Sequence, residues 1–332
     1  MNEQAFMALV AEQAGDGQFR RVLRRRAVGE LPPGEVLVRV AWSSLNYKDA
    51  LSATGARGIT RHYPHTPGID AAGVVAASTA PGIAEGDQVI VTSYDLGMDT
   101  PGGFGQYIRV PAAWVVPLPR GLTLQESMVL GTAGLTAGLS VEALAGTITP
   151  DQGEILVTGA SGGVGSLSVA ILARLGYAPV AVTGKPEAAA TLRALGAARI
   201  IGREEALEET ARPLARPRWA GMVDTVGGDL LVSGIKATQP FGVVTCCGMV
   251  ASTELHLTIF PFILRGITLA GIDSQGCPME RRRRVWQRLA SDWRPAALEG
   301  MATVVGLEGL DPYIDTILAG GVTGRVVVDL GT

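Results

Sequence analysis

Up to about residue 120, short apolar runs are broken by Gly- and Pro-rich turns. Residues 35–41 alternate apolar and polar in their second half, the pattern of a half-buried strand. Ser43-Ser44-Leu45-Asn46-Tyr47-Lys48-Asp49 is a polar cluster ahead of an Ala/Leu segment. It predicts a loop running into a short helix, with Ser43 or Ser44 as the cap. Turn-and-strand patterns follow at 63–76, 85–92 and 101–110, and together they predict a β-rich domain. After Leu122 the pattern changes. Residues 125–144 are rich in Ala, Leu and Met at helical spacing, interrupted by Gly131-Thr132-Ala133-Gly134. From 154 onward strands and helices alternate, with strands at 154–158, 179–183, 199–201, 221–228, 241–248 and 267–272. Helices at 166–175, 186–195 and 229–238 lie between them. This βαβ rhythm predicts an α/β fold with a doubly wound parallel sheet. The expected organisation is a β-rich domain at 1–124 and a Rossmann-type domain at 125–265. Residues 266–332 should supply the last sheet strand, then a helix at 279–292 and a strand at 326–328 that return to the first domain.

Composition narrows the class. The 332 residues are 47% apolar and 18% charged, with 44 Gly, which suits parallel strands buried on both faces. A net charge of −3 marks no nucleic-acid binder. Residues 1–17 carry acidic groups and no basic start, so no signal peptide is expected, and no uninterrupted apolar run reads as a membrane span. Three cysteines and three histidines make neither a disulfide framework nor a zinc site, and the expected setting is the reducing cytoplasm.

The candidate chemistry begins at residues 154–165. An apolar strand runs into Gly159-Ala160-Ser161-Gly162-Gly163-Val164-Gly165, and a helix follows. Such a turn lets a phosphate approach the backbone at a helix N-terminus. The G-x-x-G-x-x-G spacing departs from the strict dinucleotide fingerprint, and a tight turn in another α/β protein has the same look. The position about 20 residues beyond this turn decides which dinucleotide fits, because it meets the adenosine ribose. An NAD enzyme wants an acid there; this chain has Thr183-Gly184-Lys185, with Arg203 past the third strand. A hydroxyl, a backbone N–H and two cations suit a 2′-phosphate, so the expected cofactor is NADPH. The bland alternative makes Lys185 and Arg203 solvated surface charges.

With Gly86-Asp87, Gly102-Gly103-Phe104-Gly105-Gln106-Tyr107 and the late dinucleotide pattern in place, the chain resembles the medium-chain dehydrogenase/reductase superfamily. Its first domain then looks GroES-like. Asn46-Tyr47-Lys48-Asp49, Pro67-Gly68-Ile69-Asp70, Asp224-Thr225-Val226-Gly227-Gly228, Pro261-Phe262-Ile263-Leu264-Arg265-Gly266 and Gly324-Arg325 resemble the zinc-free acryloyl-CoA reductases within it. The resemblance implies NADPH-dependent reduction of acryloyl-CoA to propanoyl-CoA. It implies cofactor contacts at Tyr47, Ser161, Gly162, Gly163, Val164, Thr183, Gly184, Lys185, Arg203 and Ser274, with backbone contacts near Gly248, Met249 and Ile263. It also implies a homodimer joined through the last strand of each parallel sheet. Zinc-dependent relatives place a Cys at Asn46 and a Gly-His-Glu block at Gly68-Ile69-Asp70, so no metal is expected here.

Hydride addition to an enoyl thioester puts charge on the thioester oxygen and needs a proton at the α-carbon, a task for positioned donors. Tyr47 is the candidate acid or nicotinamide-side donor. Asn46 is a candidate partner for a carboxamide or substrate carbonyl, and Asp49 for orienting either. A capped helix start explains Asn46 and Asp49 equally well. Arg281 to Arg284 read as a solvated helix face, Cys246 and Cys247 as buried thiols, Asp224 as structural. His62 and His65 read as loop histidines, and Arg57 and Arg61 are faint candidates for CoA phosphates. The competing functions are an NADPH:quinone oxidoreductase and a non-catalytic NADPH-binding sensor or structural protein.

Overall fold

The computed structural model describes residues 3–15, 17–207, 212–296 and 298–332. Met1, Asn2 and Asp16, part of the amino-terminal stretch judged above to lack a signal pattern, lie outside the described residues. In chain order the elements are β1 (Ala5–Gln13), β2 (Phe19–Ala27), β3 (Val36–Leu45), α1 (Tyr47–Ala53), β4 (Asp70–Ser78), β5 (Gln88–Thr92), β6 (Tyr107–Val110), β7 (Val115–Pro117) and α2 (Leu124–Ala145). Then come β8 (Glu154–Val157), α3 (Gly163–Arg174), β9 (Ala178–Val182), α4 (Ala189–Ala194), β10 (Arg199–Ile201), α5 (Arg203–Ala206), β11 (Trp219–Asp224), α6 (Gly228–Ala237) and β12 (Thr238–Cys246). The rest are α7 (Phe260–Arg265), β13 (Thr268–Gly271), α8 (Met279–Leu289), β14 (Ala302–Gly306), α9 (Asp311–Leu318) and β15 (Arg325–Asp329).

These elements form two compact units. One holds Met1–Thr132, Gln275–Gln287 and Leu298–Thr332; the other holds Ala133–Ser274 and Arg288–Ala297. In the first, a seven-stranded sheet runs β14-β15-β3-β4-β5-β7, with β6 also paired to β3. Alternate residues Val36, Val38 and Val40 of β3 enter one core with Val89, Val91, Val326 and Val328. In the second, β10-β9-β8-β11-β12-β13 form the expected parallel sheet, with the order reversing direction between β8 and β11. The central positions of its strands are apolar: Leu156, Val180, Val182, Met222 and Val244 share a core with Ile235 of α6.

Several elements depart from the pattern-based expectation. Ser43, Ser44 and Leu45 are strand, not loop, because β15 pairs with them from near the other end of the chain. Neither serine caps a helix. Ser43 donates its hydroxyl to Asp70 O (2.6 Å), Ser44 donates to Asp70 Oδ2 (2.6 Å), and Asn46 is the residue that caps α1. The hairpin of β1 and β2 carries no clean alternation, since β2 reads Phe-Arg-Arg-Val-Leu-Arg-Arg-Arg-Ala. Four of these arginines have acidic partners: Arg21 pairs with Asp311 and Asp315, far along the chain, Arg20 and Arg24 with Glu12 across the hairpin, and Arg26 with Glu30. The helix expected at 279–292 ends at Leu289. Within it Arg282 is fully buried rather than solvated, because Thr92 and Gln275 offer it acceptors.

Among the described residues α2 is the one helix long and apolar enough to cross a membrane, although no such run was expected; 78% of its apolar window is buried within the protein, as in a core helix. It is broken at Gly131, whose φ of 52° is one that glycine adopts cheaply. A Cβ there would come within 2.4 Å of Asp70 Oδ2 and 2.7 Å of Ser44 Oγ. The break therefore lets the helix backbone touch a buried carboxylate.

Candidate active site

In the second unit the glycine turn lies at the carboxyl ends of the parallel strands, beside the reversal of strand order, where open α/β sheets bind ligands. Gly162 precedes the first turn of α3. A Cβ on Gly165 would lie 2.3 Å from Gly159 O, and one on Gly159 would lie 2.4 Å from Thr225 Oγ1, so the turn closes only with glycine at both. A latch fixes the strand ends beneath it. Thr158 donates to Asp224 Oδ1 (2.7 Å), and Thr225 N–H donates back to Thr158 Oγ1 (3.0 Å). Thr225 Oγ1 donates to Thr158 O (2.8 Å), and Gly227 N–H to Asp224 Oδ2 (2.8 Å). Burial pushes the Asp224 carboxyl above its usual range. Asp224 is structural, as expected, but the threonine pair was not foreseen.

The residues expected at the adenosine end come together. Thr183 Oγ1 donates to Ser161 Oγ (3.1 Å) and accepts the Lys185 N–H (3.1 Å). Both hydroxyl side chains are buried, and Lys185 is half-buried. The Arg203 guanidinium covers Gly184, where a Cβ would meet Nε at 2.9 Å. Burial, with Arg203 close by, lowers the Lys185 ammonium below its usual range, while Glu187 acts the other way. Two cations held against each other are what an added phosphate would relieve. Ser274 accepts a hydrogen bond from Thr136 Oγ1 (2.9 Å), and Gly248 packs against Thr225 O, where a Cβ would sit at 1.9 Å. Met249 and Ile263 expose their side chains. Cys246 and Cys247 are free, half-buried thiols; burial raises both, Cys247 to about 12, which makes them poor nucleophiles.

In the first unit the Asn46-Tyr47-Lys48-Asp49 block opens α1 over a buried polar network. Asp49 Oδ2 accepts the Asn46 N–H (2.7 Å), an N-terminal capping interaction, and Asp49 Oδ1 accepts Ile69 N–H (2.7 Å). Asn46 Nδ2 donates to Asp70 Oδ2 (2.8 Å) and Asp49 Oδ2 (3.2 Å), and Asn46 Oδ1 accepts from Arg325 (3.2 Å). Asp70 also accepts from Thr132 N–H (3.0 Å) and Thr132 Oγ1 (2.6 Å). Arg325, itself buried, donates to Val129 O, Leu45 O and Ser44 Oγ, with its NH2 at 3.9 Å from Asp70. Asn46 and Asp49 thus spend their polar atoms inward. Tyr47, 38% exposed, is the member of the candidate trio whose side chain faces outward. In the sequence Asp70, Arg325 and Thr132 stand in separate blocks; their meeting depends on β4, β15 and the break in α2. His62 is exposed, whereas His65 is buried, with Nε2 unpartnered.

Burial first, and the neighbouring Asp70 second, push the Asp49 carboxyl up to about 7. A raised carboxyl binds its proton better in the folded state. Its stabilising contribution is therefore complete below pH 4 and is lost as pH rises through 7, by on the order of 4 kcal/mol. The melting temperature of Asp49→Asn relative to the native protein should accordingly climb between pH 4 and pH 8. A difference that stays flat across that range would disprove the assignment.

A glycine turn at a sheet reversal, a cationic pair one strand away, and a capped Tyr on a separate β-rich unit define a nicotinamide-dependent oxidoreductase. A family model described as "Alcohol dehydrogenase GroES-like domain" matches residues 32–120, and one described as "Zinc-binding dehydrogenase" matches 163–291. The Bacillus subtilis protein named putative quinone oxidoreductase YhfP is 45% identical over 98% of this chain and 99% of its own. Its structure with NAD bound has a TM-score of 0.95. Acrylyl-CoA reductase AcuI of Ruegeria pomeroyi is 43% identical over 98% of this chain and 99% of its own. The Salmonella enterica yhdH oxidoreductase, solved in complex with NADP, is 42% identical over 97% of this chain and 99% of its own, with a TM-score of 0.94. The chain belongs to the medium-chain dehydrogenase/reductase superfamily, in the family of these acrylyl-CoA reductase and quinone oxidoreductase relatives.

The family description names zinc. Among the described residues no three His, Cys, Asp or Glu side chains are grouped to hold a metal ion. Asn46 offers a neutral amide in place of a thiolate, and that amide is already hydrogen-bonded to two carboxyl groups and an arginine.

Proposed function

We propose that this protein reduces the C=C bond of a short enoyl-CoA, acryloyl-CoA to propanoyl-CoA foremost, using NADPH. The observation that carries this reading is the outward Tyr47 on the buried network of the first unit, taken together with the cluster of Lys185, Arg203, Thr183 and Ser161 in the second. Bound NADPH supplies the hydride, which adds to the β-carbon; one proton adds to the α-carbon, and NADP⁺ and the saturated thioester leave. Such a substrate is already electron-poor and needs no Lewis acid. The glycine turn would take the pyrophosphate, and Lys185 and Arg203 the 2′-phosphate. Tyr47 would donate to the developing charge or the nicotinamide side, with Asn46 and Asp49 holding it in place. The AcuI relative supports the substrate, and the NADP-bound relative supports the cofactor.

With NADPH deuterated at the transferred position, mass spectrometry should find one deuterium at C3 of propanoyl-CoA. Unlabelled product, or none, would end this reading. Tyr47→Phe should lower kcat about a hundredfold with little change in NADPH affinity; a variant as fast as the native enzyme would remove Tyr47 from the chemistry. Quinone reduction is the second reading, favoured by the name of the YhfP relative.

A homodimer belongs to the same proposal. Strand β13 is an open sheet edge. Phe241, Met249, Val250, Leu255, Ile259, Phe260, Ile263 and Leu264 are all exposed in the stretch leading to it, a concentration of apolar surface that a second copy would cover. Sedimentation equilibrium should give twice the chain mass, and Ile263→Asp should halve it; a native monomer at micromolar concentration rules the dimer out. Cys246, Cys247 and Cys277 form no disulfide with one another, which fits a reducing, cytoplasmic setting.

A further inference from the structure

Arg282 lies in the first unit and is fully buried. Its NH1 donates to Thr92 O (2.8 Å) and Thr92 Oγ1 (2.9 Å), and its NH2 to Gln275 O (3.2 Å). The guanidinium also lies over the Tyr94 ring, 4.3 Å from the centroid. Between Thr92 and Tyr94 the backbone is strained. Ser93 and Tyr94 have φ of 63° and 53°, and two consecutive non-glycine residues in the left-handed region persist only where the surroundings hold them. Arg282 grips that pair from both ends, by hydrogen bonds before it and by its face after it.

Two routes lead from this grip to the start of α1. Along the first, Ser93 Oγ hydrogen-bonds Thr132 Oγ1 (2.9 Å), Thr132 donates to Asp70, and Asp70 holds the Asn46 amide. Along the second, Gln275, whose carbonyl binds Arg282, accepts Lys48 Nζ at its side-chain oxygen (2.7 Å). Asn46 and Lys48 flank Tyr47 in the chain. We infer that Arg282 is a positioning residue for Tyr47, fixing both of its neighbours through the strained Thr92–Tyr94 segment and through Gln275. This rests on the proposed role of Tyr47 in the reduction.

The test is a double-mutant cycle, run well below the melting temperature with whichever of acryloyl-CoA, crotonyl-CoA and a short-chain quinone the native enzyme reduces fastest. Arg282→Met should lower kcat at least tenfold, with the NADPH dissociation constant within about twofold of native, because the cofactor's adenosine end is bound by the other unit. In a Tyr47→Phe background the same change should have almost no further effect on kcat. Arg282→Lys, which keeps the charge and loses the fork, should fall between. Gln275→Leu, on the less buried route, should slow kcat and lose that effect in the Tyr47→Phe background; it serves if Arg282→Met does not fold. Effects that multiply in the double variants overturn the inference and leave Tyr47 its role. A Tyr47→Phe enzyme with native kcat overturns the Tyr47 reading, and the inference with it.

Discussion

Replacing Arg325 by Met should lower the melting temperature by about 10 °C. The guanidinium is buried beside the buried Asp70 carboxylate and satisfies Val129 O, Leu45 O, Ser44 Oγ and Asn46 Oδ1 as well. Removing one partner of such a pair strands the other charge at a cost of about 3–5 kcal/mol. At about 2–4 °C per kcal/mol for a unit of this size, the expected shift follows. Burial alone lowers the proton affinity of Arg325, and the nearby carboxylates of Asp70 and Asp49 raise it, so the three groups stand or fall together. Adding Asp70→Asn to Arg325→Met should therefore recover stability rather than lose more. A single variant that melts with the native protein, or a double variant worse than the single, would show that the network does not hold the first unit together.

The second large effect concerns cofactor choice. Lys185→Ala with Arg203→Ala should weaken NADPH binding about a hundredfold, since each charge-assisted contact to a phosphate contributes about 1.5 kcal/mol. NADH, which lacks the 2′-phosphate, should bind as before. Titration by nicotinamide fluorescence measures both. NADPH preference surviving the double change would place the selecting groups elsewhere.

These two sites were unequally legible. The cluster proposed for the adenosine end could be read locally. Thr183, Gly184 and Lys185 are consecutive, they close a strand whose apolar run is plain, and the position that matters lies at a fixed distance past the glycine turn. The network under Tyr47 could not be read that way. Its members come from β3, β4, the break in α2 and β15, and Ser44 looks like a helix cap until β15 pairs with it. Arg282 shows the same limit. Four arginines opening a helix have the pattern of a solvated face, and acceptors from Thr92, 190 residues away, together with Gln275 O, turn one of them inward. The β1–β2 hairpin escaped because β2 shows no alternation, and the acids that pair with Arg21, Asp311 and Asp315, lie far along the chain. Local chemistry is visible in sequence when the groups that make it are neighbours in the chain. Buried charge is visible only once its partners are placed.

The reduction of an enoyl thioester is tested most directly by initial rates of NADPH loss with acryloyl-CoA, crotonyl-CoA and a quinone, measured side by side on one preparation. The expected result is the highest kcat/KM with acryloyl-CoA and equal amounts of NADP⁺ and propanoyl-CoA formed. Negligible turnover of acryloyl-CoA beside fast reduction of the quinone would contradict it.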